Sequence, residues 1–374
     1  MKTIALVYGG KSLESEVSVL TALKIKDGIP KDKYQYLLVY LDQNNNFFVG
    51  EGLSKLENYE EKNNFKKAKL VIKKDKHYFH TLTKNYYFDD VLIVGHGKNI
   101  EDGKISSFFS SQGIDVYGHN EEASFLMQNK HLFKSYLKAN RIPTLPHILV
   151  HKYELNNSLD NIKNILDEMG FPLIIKGCRL GSSIGVYKVN NMEEVERYLN
   201  KAFIYENEVI IEKYLSNKIE VNIALLGYQD EITYSSFEIV NTSSSPLSFL
   251  DKYDYSSSDI KRKITPLSDE KIAVKIKGYC KKIFNDLGLC GVVRCDFLLE
   301  GTSSKIYLNE VNSIPGSLAY YLFENNPLSL CDVLQKIIDY GKRRNDSERQ
   351  LKTTYEDDFL FSSKYLGLKN KMSL

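Results

Sequence analysis

Several residue types that would indicate a specialised class of protein are scarce in this sequence. Tryptophan is absent, and the 374 residues include only 8 prolines and 5 cysteines. The cysteines form no C-x-x-C pair, and an odd number cannot all form disulfides, so reduced thiols are favoured over a disulfide framework or a zinc site. These cysteines are Cys178, Cys280, Cys290, Cys295 and Cys331.

A long apolar run and a large net charge are also missing. The N-terminal apolar stretch is too short for a signal peptide, and no segment approaches the length of a membrane span. The net charge is +2, which gives no global basic field for a nucleic acid, and the Lys-rich run from Lys62 to Lys76 is interrupted by apolar residues as a solvated hairpin would be. The sequence therefore favours a cytoplasmic protein of two or three domains with no nucleic-acid or membrane partner.

Oxygen-bearing side chains occur on two apolar segments in the C-terminal third, predicted as strands at 291–299 and 305–311. Glu310 and Asn312 are two residues apart and so share one face of a strand, as do Arg294 and Asp296. If the strands are neighbours, Asp296, Glu310 and Asn312 provide two carboxylates and one amide, which is the usual protein share of a magnesium site. This pattern predicts Mg²⁺ together with a nucleotide.

Two glycine-containing turns follow predicted strands. Residues 3–8 read as a strand, Gly9-Gly10 as a turn, and Ser12 as the N-cap of a helix through about Lys26. The second turn, residues 177–185, follows a strand that ends at Lys176, and its three glycines and two serines can wrap phosphates although it is not a Walker loop.

The rest of the chain alternates predicted strands and helices. Strands are predicted at 34–41, 91–94, 114–117, 172–176, 209–215 and 220–226, and helices at 124–140, 269–287 and 328–340. Residues 43–88 read as hairpins and a charged loop, and 241–268 as a polar active-site lid. His96 follows a strand at its carboxyl end, where open α/β sheets place ligands. The tail from Lys342 onward carries no clear signal.

Short motifs in a fixed order resemble those of the D-alanine–D-alanine ligase family of the ATP-grasp superfamily, over residues 4 to about 325. An opening GG-x-S-x-E-x-E-V-S motif is matched from Gly9 to Ser18, although Ser15 alters it. The others are HG…EDG at 96–103, K-x-x-x-x-GSS-x-G at 176–185, R-x-D at 294–296, and N-E-x-N-x-x-PG at 309–316. One such motif is weak, but several in the family's order are specific.

The resemblance implies an α/β (α+β) ATP-grasp fold of three domains. An N-terminal Rossmann-like sheet (1–118) would bind substrate, and a two-domain clamp would follow. The clamp would consist of a central subdomain (119–211) and a C-terminal subdomain with the metal site (212–345), with 346–374 left as a charged tail.

The resemblance also implies roles for individual residues. Lys130, Lys176 and the lid residue Lys252 would bind ATP phosphates, and Glu220 the ribose. Asp296, Glu310 and Asn312 would hold two Mg²⁺ ions, for which Mn²⁺ is an acceptable substitute. The strand that holds the adenine would comprise Glu212, Lys213, Tyr214 and Leu215.

Other residues would bind the amino-acid substrates. Glu14 would bind the ammonium of the first substrate, in a network with Ser182 and Tyr253, and His96 would belong to the same pocket. Arg294 and the Gly316 N–H would stabilise the oxyanion of a tetrahedral intermediate.

The sequence departs from the family at Gly177, where a proline is usual, and above all near the second-substrate pocket. Tyr321, followed by Leu322, stands where the family has a serine that helps bind the second amino acid. A phenol also donates a hydrogen bond, but from several Å further out. The second pocket is therefore remodelled or accepts another substrate.

The predicted function is an ATP-dependent carboxylate–amine ligase that forms a D-alanyl-D-alanine-type dipeptide through an acyl phosphate, as in peptidoglycan (cell-wall) biosynthesis. Its partners would be small amino acids, with a homodimer left open. A ligase with another acceptor, including a hydroxy acid, and a non-catalytic nucleotide-binding paralogue remain alternatives. A dinucleotide-dependent oxidoreductase is disfavoured because G-x-G-x-x-G is absent.

Overall fold

A computed structural model describes residues 1–62, 64–73, 76–241, 261–301, 305–324 and 327–354. The α-helices are α1 (Ser15–Gly28), α2 (Asn58–Glu61), α3 (Lys104–Ser110), α4 (Glu121–Gln128), α5 (Lys130–Ala139), α6 (Leu155–Met169), α7 (Met192–Ala202), α8 (Glu270–Asp286) and α9 (Leu330–Arg349). The strands are β1 (Lys2–Gly9), β2 (Tyr34–Leu41), β3 (Phe47–Val49), β4 (Lys66–Lys73), β5 (Lys76–His80), β6 (Asn85–Phe88), β7 (Asp90–Ile93), β8 (Val116–Tyr117), β9 (His147–His151), β10 (Leu173–Gly177), β11 (Tyr187–Val189), β12 (Glu208–Lys213), β13 (Lys218–Tyr228), β14 (Glu231–Asn241), β15 (Lys261–Ile264), β16 (Cys290–Glu300) and β17 (Ile306–Asn312).

The N-terminal part forms an eight-stranded sheet in the order β6-β5-β4-β3-β2-β1-β7-β8. β1 lies between β2 and β7 and pairs with both in parallel, and its residues from Ile4 to Tyr8 are fully buried, as expected for a strand covered on both faces. Strands β3 to β6 extend the sheet beyond β2 as antiparallel hairpins, and β8 pairs in parallel with β7 at the other edge. This confirms the strand predicted at 34–41 and the hairpins predicted within 43–88, including the Lys-rich one.

The turn after β1 differs from the prediction that Ser12 caps the first helix. Helix α1 begins at Ser15, and Glu14 occupies the N-cap position without a side-chain cap. Gly9 and Gly10 both have positive φ, which keeps the chain in a turn for several more residues. Ser12 instead accepts a hydrogen bond from the Glu14 N–H at 3.1 Å and donates one to the His96 carbonyl at 2.9 Å, so it joins two loops.

The predicted helix 124–140 is in fact two helices, α4 and α5. Asn129 between them is extended, and its side chain accepts hydrogen bonds from the N–H groups of His131 and Leu132. Asn129 therefore caps α5. Lys130 becomes the first residue of that helix, and its N–H donates to the Cys178 carbonyl at 2.8 Å.

Two antiparallel sheets form the remainder of the described chain. One has four strands in the order β11-β10-β12-β9, and the other has five in the order β15-β14-β13-β16-β17. The proposed domain boundary at 211/212 falls inside β12, which stays in the four-stranded sheet. The polar segment 241–268 was predicted without regular structure, but its residues 261–264 form the edge strand β15, which pairs with β14.

The last helix is longer than predicted. It runs to Arg349, so residues 342–349, taken as part of an uninformative tail, are helical. Arg344 is buried and donates to the carbonyls of Val116 and Gly118 at 2.8 and 2.5 Å, and Arg349 pairs with Asp115. These bonds connect the C-terminal helix to the edge of the N-terminal sheet.

The cysteines are all free thiols, four of them buried, which confirms the prediction against a disulfide framework. Within the described residues, no helix combines the length and the apolar character needed to cross a bilayer.

Candidate active site

One cleft lies where the loops of the N-terminal sheet meet both antiparallel sheets. Its volume is about 370 Å³, and the short 3₁₀ segment at Gly316–Phe323 lines part of its wall. Most of the residues predicted for the site meet here. They are Glu14, His96, Lys130, Lys176, Ser182, Glu212, Glu220, Arg294, Asp296, Glu310, Asn312, Gly316 and Tyr321.

Other predicted residues lie elsewhere. Lys252 and Tyr253 fall outside the described residues. Leu322 is fully buried in the hydrophobic core and is not among the described residues that line the cleft.

The three residues that follow Glu212, of which only Lys213 belongs to β12, are not among the described residues that line the cleft. Lys213 donates to the carbonyls of Met169 and Gly170 at 2.7 and 2.8 Å, and so stabilises the C-terminal end of α6. The Tyr214 ring is buried with a lysine ammonium 4.2 Å from its centre, and Leu215 is half-buried. Any contact of these residues with a ligand in this cleft would have to come from their backbone.

Glu14 and Ser182 meet at one end of the cleft. The Ser182 hydroxyl donates a short hydrogen bond to Glu14 Oε1, although the residues are 168 apart in sequence. Glycine is required on both sides of this carboxylate, because a Cβ at Gly97 or Gly181 would lie 2.6 Å from Glu14 Oε2. Burial raises the pKa of Glu14, the nearby Glu101 carboxylate adds to that rise, and the Ser182 hydrogen bond opposes it.

His96 lies beside this pair and is fixed from several sides. Its ring Nε2 is 2.7 Å from the Thr21 hydroxyl, and its backbone N–H donates to the Ser18 hydroxyl at 2.8 Å. Burial lowers the pKa of His96, so the ring is neutral near physiological pH. A neutral ring in this position offers polar contacts without adding positive charge.

Glu101 is a site residue for which the sequence predicted no role, although it belongs to the EDG motif. Its carboxylate accepts from the N–H groups of Gly97 and Ile314, both at 3.2 Å, and lies 3.3 Å from the Ser313 hydroxyl. Burial raises its pKa. Glu101 therefore connects the loop after β7 to the segment that follows β17.

The predicted pairing of the two C-terminal strands is present. β16 and β17 are antiparallel neighbours, with Arg294 opposite Asn312 and Asp296 opposite Glu310. Arg294 binds both oxygens of Asp296 at 2.7 Å, and the Asn312 amide donates to Asp296 Oδ2 at 3.0 Å. All four polar side chains thus face the same cleft.

These side chains fit a divalent cation in their chemistry. Two carboxylates and an amide are hard oxygen donors of the kind that Mg²⁺ prefers. Within the described residues no set of three His, Cys, Asp or Glu side chains is grouped for a metal, because the third donor here is the amide of Asn312. Arg294 directs one hydrogen bond to each oxygen of Asp296, and because a carboxylate oxygen has two lone pairs, Asp296 Oδ1 can bind a cation while Arg294 stays in place.

The opposite wall of the cleft carries lysines. Lys130 Nζ donates to the Leu180 carbonyl at 2.5 Å and lies 3.7 Å from Glu310. Lys176 Nζ lies 2.5 Å from Glu212 Oε1 and 3.3 Å from Asn309 Oδ1. The irregularity in the β16–β17 pairing falls at Asn309 and turns this side chain into the cleft, which strict alternation would not predict.

A further polar group was missed by the sequence analysis. Asn222 donates to Glu238 Oε2 at 2.8 Å, and Arg262 lies 3.7 Å from Glu238 Oε1; all three residues line the cleft. Asn222 is two residues from Glu220 and so shares its strand face, a signal that was readable. Glu238 and Arg262 gave no comparable signal, because only sheet pairing brings them here.

Tyr321 lines the cleft and is close enough to Arg294 to affect its electrostatic environment. It belongs to the 3₁₀ segment, in which Ser317, Leu318 and Ala319 all have positive φ. This left-handed backbone is uncommon for residues with a Cβ.

Comparison with known proteins places the chain in a family. Residues 3–119 match the model of the D-ala D-ala ligase N-terminus, and residues 136–339 match that of the C-terminus. The chain belongs to the D-alanine–D-alanine ligase family. A D-alanine–D-alanine ligase from Thermosipho melanesiensis is 31% identical over 350 residues, which cover 92% of this chain and 94% of the relative.

Solved structures of the family share the fold. The VanG D-Ala:D-Ser ligase from Enterococcus faecalis has a TM-score of 0.77 and 26% identity, covering 91% of this chain and 99% of that one. The Bacillus anthracis D-alanine–D-alanine ligase complexed with ATP has a TM-score of 0.68 and 21% identity, covering 93% and 100%. These likenesses confirm the predicted mixed α/β ATP-grasp fold.

Proposed function

We propose that this protein is an ATP-dependent ligase that joins two small amino acids of the D-alanine type. One observation carries the proposal: a single cleft contains the Glu14–Ser182 pair, the Arg294–Asp296–Asn312 group and two lysines, which come from parts of the chain distant in sequence. Such a reaction requires a carboxylate that binds the substrate ammonium, cationic side chains that bind phosphates, and oxygen donors that bind Mg²⁺. Membership of the family supports the same reaction.

The reaction has two steps. The carboxylate of the first amino acid takes the γ-phosphoryl group of ATP, which gives an acyl phosphate and ADP. The amine of the second amino acid then attacks the acyl carbon, a proton leaves the nitrogen, and phosphate departs as the amide forms. Phosphoryl transfer depends mainly on positioning and on neutralising charge.

The side chains divide these tasks. Glu14, aligned by Ser182, binds the ammonium of the first substrate, with the neutral His96 beside it. Lys130 and Lys176 bind phosphate oxygens, and Glu220 the ribose. When bound, Mg²⁺ neutralises phosphate charge, and Asp296, Glu310 and Asn312 would hold it.

Arg294 and the Gly316 N–H face the acyl carbon and stabilise the oxyanion of the tetrahedral intermediate. Two of the five N–H donors of Arg294 are directed at Asp296, which fixes the guanidinium beside the carboxylate and leaves its other donors for the oxyanion.

Tyr321 lies where the second amino acid would bind, near Arg294. Its phenol replaces the short hydroxyl of the family's usual serine, so the donor reaches further into the pocket. D-alanine is the best single candidate for the first substrate, and the second is D-alanine, another D-amino acid or a D-hydroxy acid.

The test is phosphate release from ATP with Mg²⁺ across single and paired D- and L-amino acids and D-hydroxy acids, with mass spectrometry of the products. Release that depends on D-alanine, with a dipeptide or depsipeptide product, is the expected result. ATP binding without release for any pair would favour a nucleotide-binding paralogue that lacks ligase activity.

A further inference from the structure

A buried lysine lies behind the phosphate side of the cleft. Lys134 is on α5, one turn after Lys130, and is completely shielded from solvent. Its Nζ lies 3.1 Å from Glu212 Oε2 and donates to the Thr144 hydroxyl at 2.9 Å. Lys134 is not among the described residues that line the cleft, so its ammonium serves the protein and not a ligand.

Glu212 is shared between two lysines. Its Oε1 binds Lys176 at 2.5 Å, and its Oε2 faces Lys134. Burial alone would raise the pKa of Glu212, but the two ammonium groups hold it at about 2, so the carboxylate is ionised. The cluster therefore contains two positive charges and one negative charge, and of the two lysines only Lys176 lines the cleft, together with Glu212.

This arrangement matters when a phosphate arrives. Lys176 has three N–H donors, but when its ammonium moves toward a phosphate oxygen, its short contact with Glu212 lengthens and its charge is shared. A buried carboxylate that loses its counter-ion is strongly destabilised. Lys134, held by Thr144, stays beside Glu212 and remains its counter-ion after Lys176 turns away.

We propose that Lys134 is a positioning residue for nucleotide phosphates: by retaining the charge balance of Glu212, it allows Lys176 to leave that carboxylate and bind the phosphate chain. The inference rests on the proposed use of ATP. It assigns Lys134 no contact with substrate and gives the Glu212 side chain, which also lines the cleft, a role in holding both lysines.

The test is calorimetric binding of ATP, ADP and adenosine to Lys134→Met, a change that removes the charge and keeps much of the volume. We expect affinity for ATP and ADP to fall about tenfold or more, because one buried charge partner is lost, while adenosine stays within about twofold. Lys138→Met, at an exposed position of the same helix, is the matched control and should bind all three nucleotides as the wild type does. An equal loss for all three ligands in Lys134→Met, or no loss, would overturn the proposal.

A second variant covers the case in which Lys134→Met does not fold. Lys134→Met/Glu212→Gln removes both charges of the buried pair, so it leaves no uncompensated carboxylate and frees Lys176. Its affinity for ATP relative to adenosine should return to within about threefold of the wild-type ratio, as expected for coupled residues. A double variant whose affinity for ATP relative to adenosine stays as low as in Lys134→Met would overturn the role of Lys134. Failure of the wild-type protein to bind ATP would instead overturn the proposed function itself.

Discussion

Two buried glutamates in the same cleft have opposite electrostatic surroundings. Glu14 lies in the part of the cleft proposed to bind the first amino acid, called here the amino-acid end. It accepts a hydrogen bond from Ser182, lies near a second carboxylate at Glu101, and has a raised pKa. Glu212 lies in the part proposed to bind ATP, called here the nucleotide end. It lies between Lys134 and Lys176, and its pKa falls to about 2. Burial is similar at the two positions, so the neighbours decide the difference.

The difference matches what each end is proposed to bind. The amino-acid end has a carboxylate in need of a cation, and the ammonium of an amino acid provides one. The nucleotide end has more ammonium groups than its buried carboxylate requires, and a polyphosphate provides the missing negative charge. Each end is thus completed electrostatically by its own ligand.

The largest effect is expected at Arg294, which lies between the two ends. Arg294→Ala should lower product formation about a thousandfold, the upper range for loss of one oxyanion donor, while the KM for ATP changes little. Steady-state kinetics with a calorimetric titration of ATP would measure both. Arg294→Lys, which keeps the charge but not the two-pronged geometry, is the control and should retain intermediate activity. Unchanged turnover in Arg294→Ala would refute the oxyanion role.

Replacing the Glu14 carboxylate by a neutral amide should weaken binding of the first substrate and at the same time raise thermal stability. Glu14→Gln should raise the KM for the first substrate about a hundredfold, as expected for a lost charge-assisted hydrogen bond in a buried site. The ligand-free variant should nevertheless have a higher Tm at neutral pH. A carboxyl whose pKa is raised on folding binds protons more tightly in the folded state, so its ionised form destabilises the fold above that pKa.

Kinetics and thermal unfolding of Glu14→Gln, with ATP affinity as the internal control, would check both effects. A lower Tm together with an unchanged KM would contradict the assignment of Glu14 as the ammonium-binding carboxylate.

The pH dependence offers a third test of the amino-acid end. The Ser182 hydrogen bond opposes the rise in the pKa of Glu14, so Ser182→Ala should raise that pKa further. As pH falls, the variant then protonates Glu14 earlier, and its acid loss of kcat/KM for the first substrate moves to higher pH. The neighbouring Ser183→Ala is the matched control. Superimposable acid limbs for Ser182→Ala and wild type would exclude this coupling.

The smallest effect is expected at the second-substrate end. Tyr321→Phe removes only a hydroxyl and should raise the KM for the second substrate about threefold to tenfold, the range for one hydrogen bond. Tyr321→Ser should change the preference among D-alanine, D-serine and a D-hydroxy acid, because the donor is withdrawn by several Å. Competition among these acceptors, read by mass spectrometry, would measure the change. Identical preferences in wild type and both variants would place the second substrate elsewhere.

Short sequence spacings predicted one part of the site well. Glu310 and Asn312 are two residues apart on a strand, and so are Arg294 and Asp296, which correctly indicated that each pair shares a face. The antiparallel pairing of β16 with β17 then brings the two pairs together. Such local periodicity survives into the fold because strand geometry fixes it.

Other features depend on contacts that no spacing reveals. Asn129 interrupts what reads as one helix, because its side chain caps α5 more favourably than it continues α4. Asn309 enters the cleft only through an irregularity in the pairing of β16 with β17. Lys134 had one available signal, its position four residues after Lys130 on the same helix face, but that spacing does not predict burial against Glu212.

The sequence by itself determined the order of the strands and turns that carry the motifs, the residue types at the two ends of the cleft and the family to which the chain belongs. Only the tertiary structure decided which charges became partners. Glu14 met a serine and a second carboxylate, whereas Glu212 met two lysines, from α5 and β10. Residue types are local, but pKa values and ion pairs depend on burial and on neighbours distant in sequence, and these exist only once the sheets have packed.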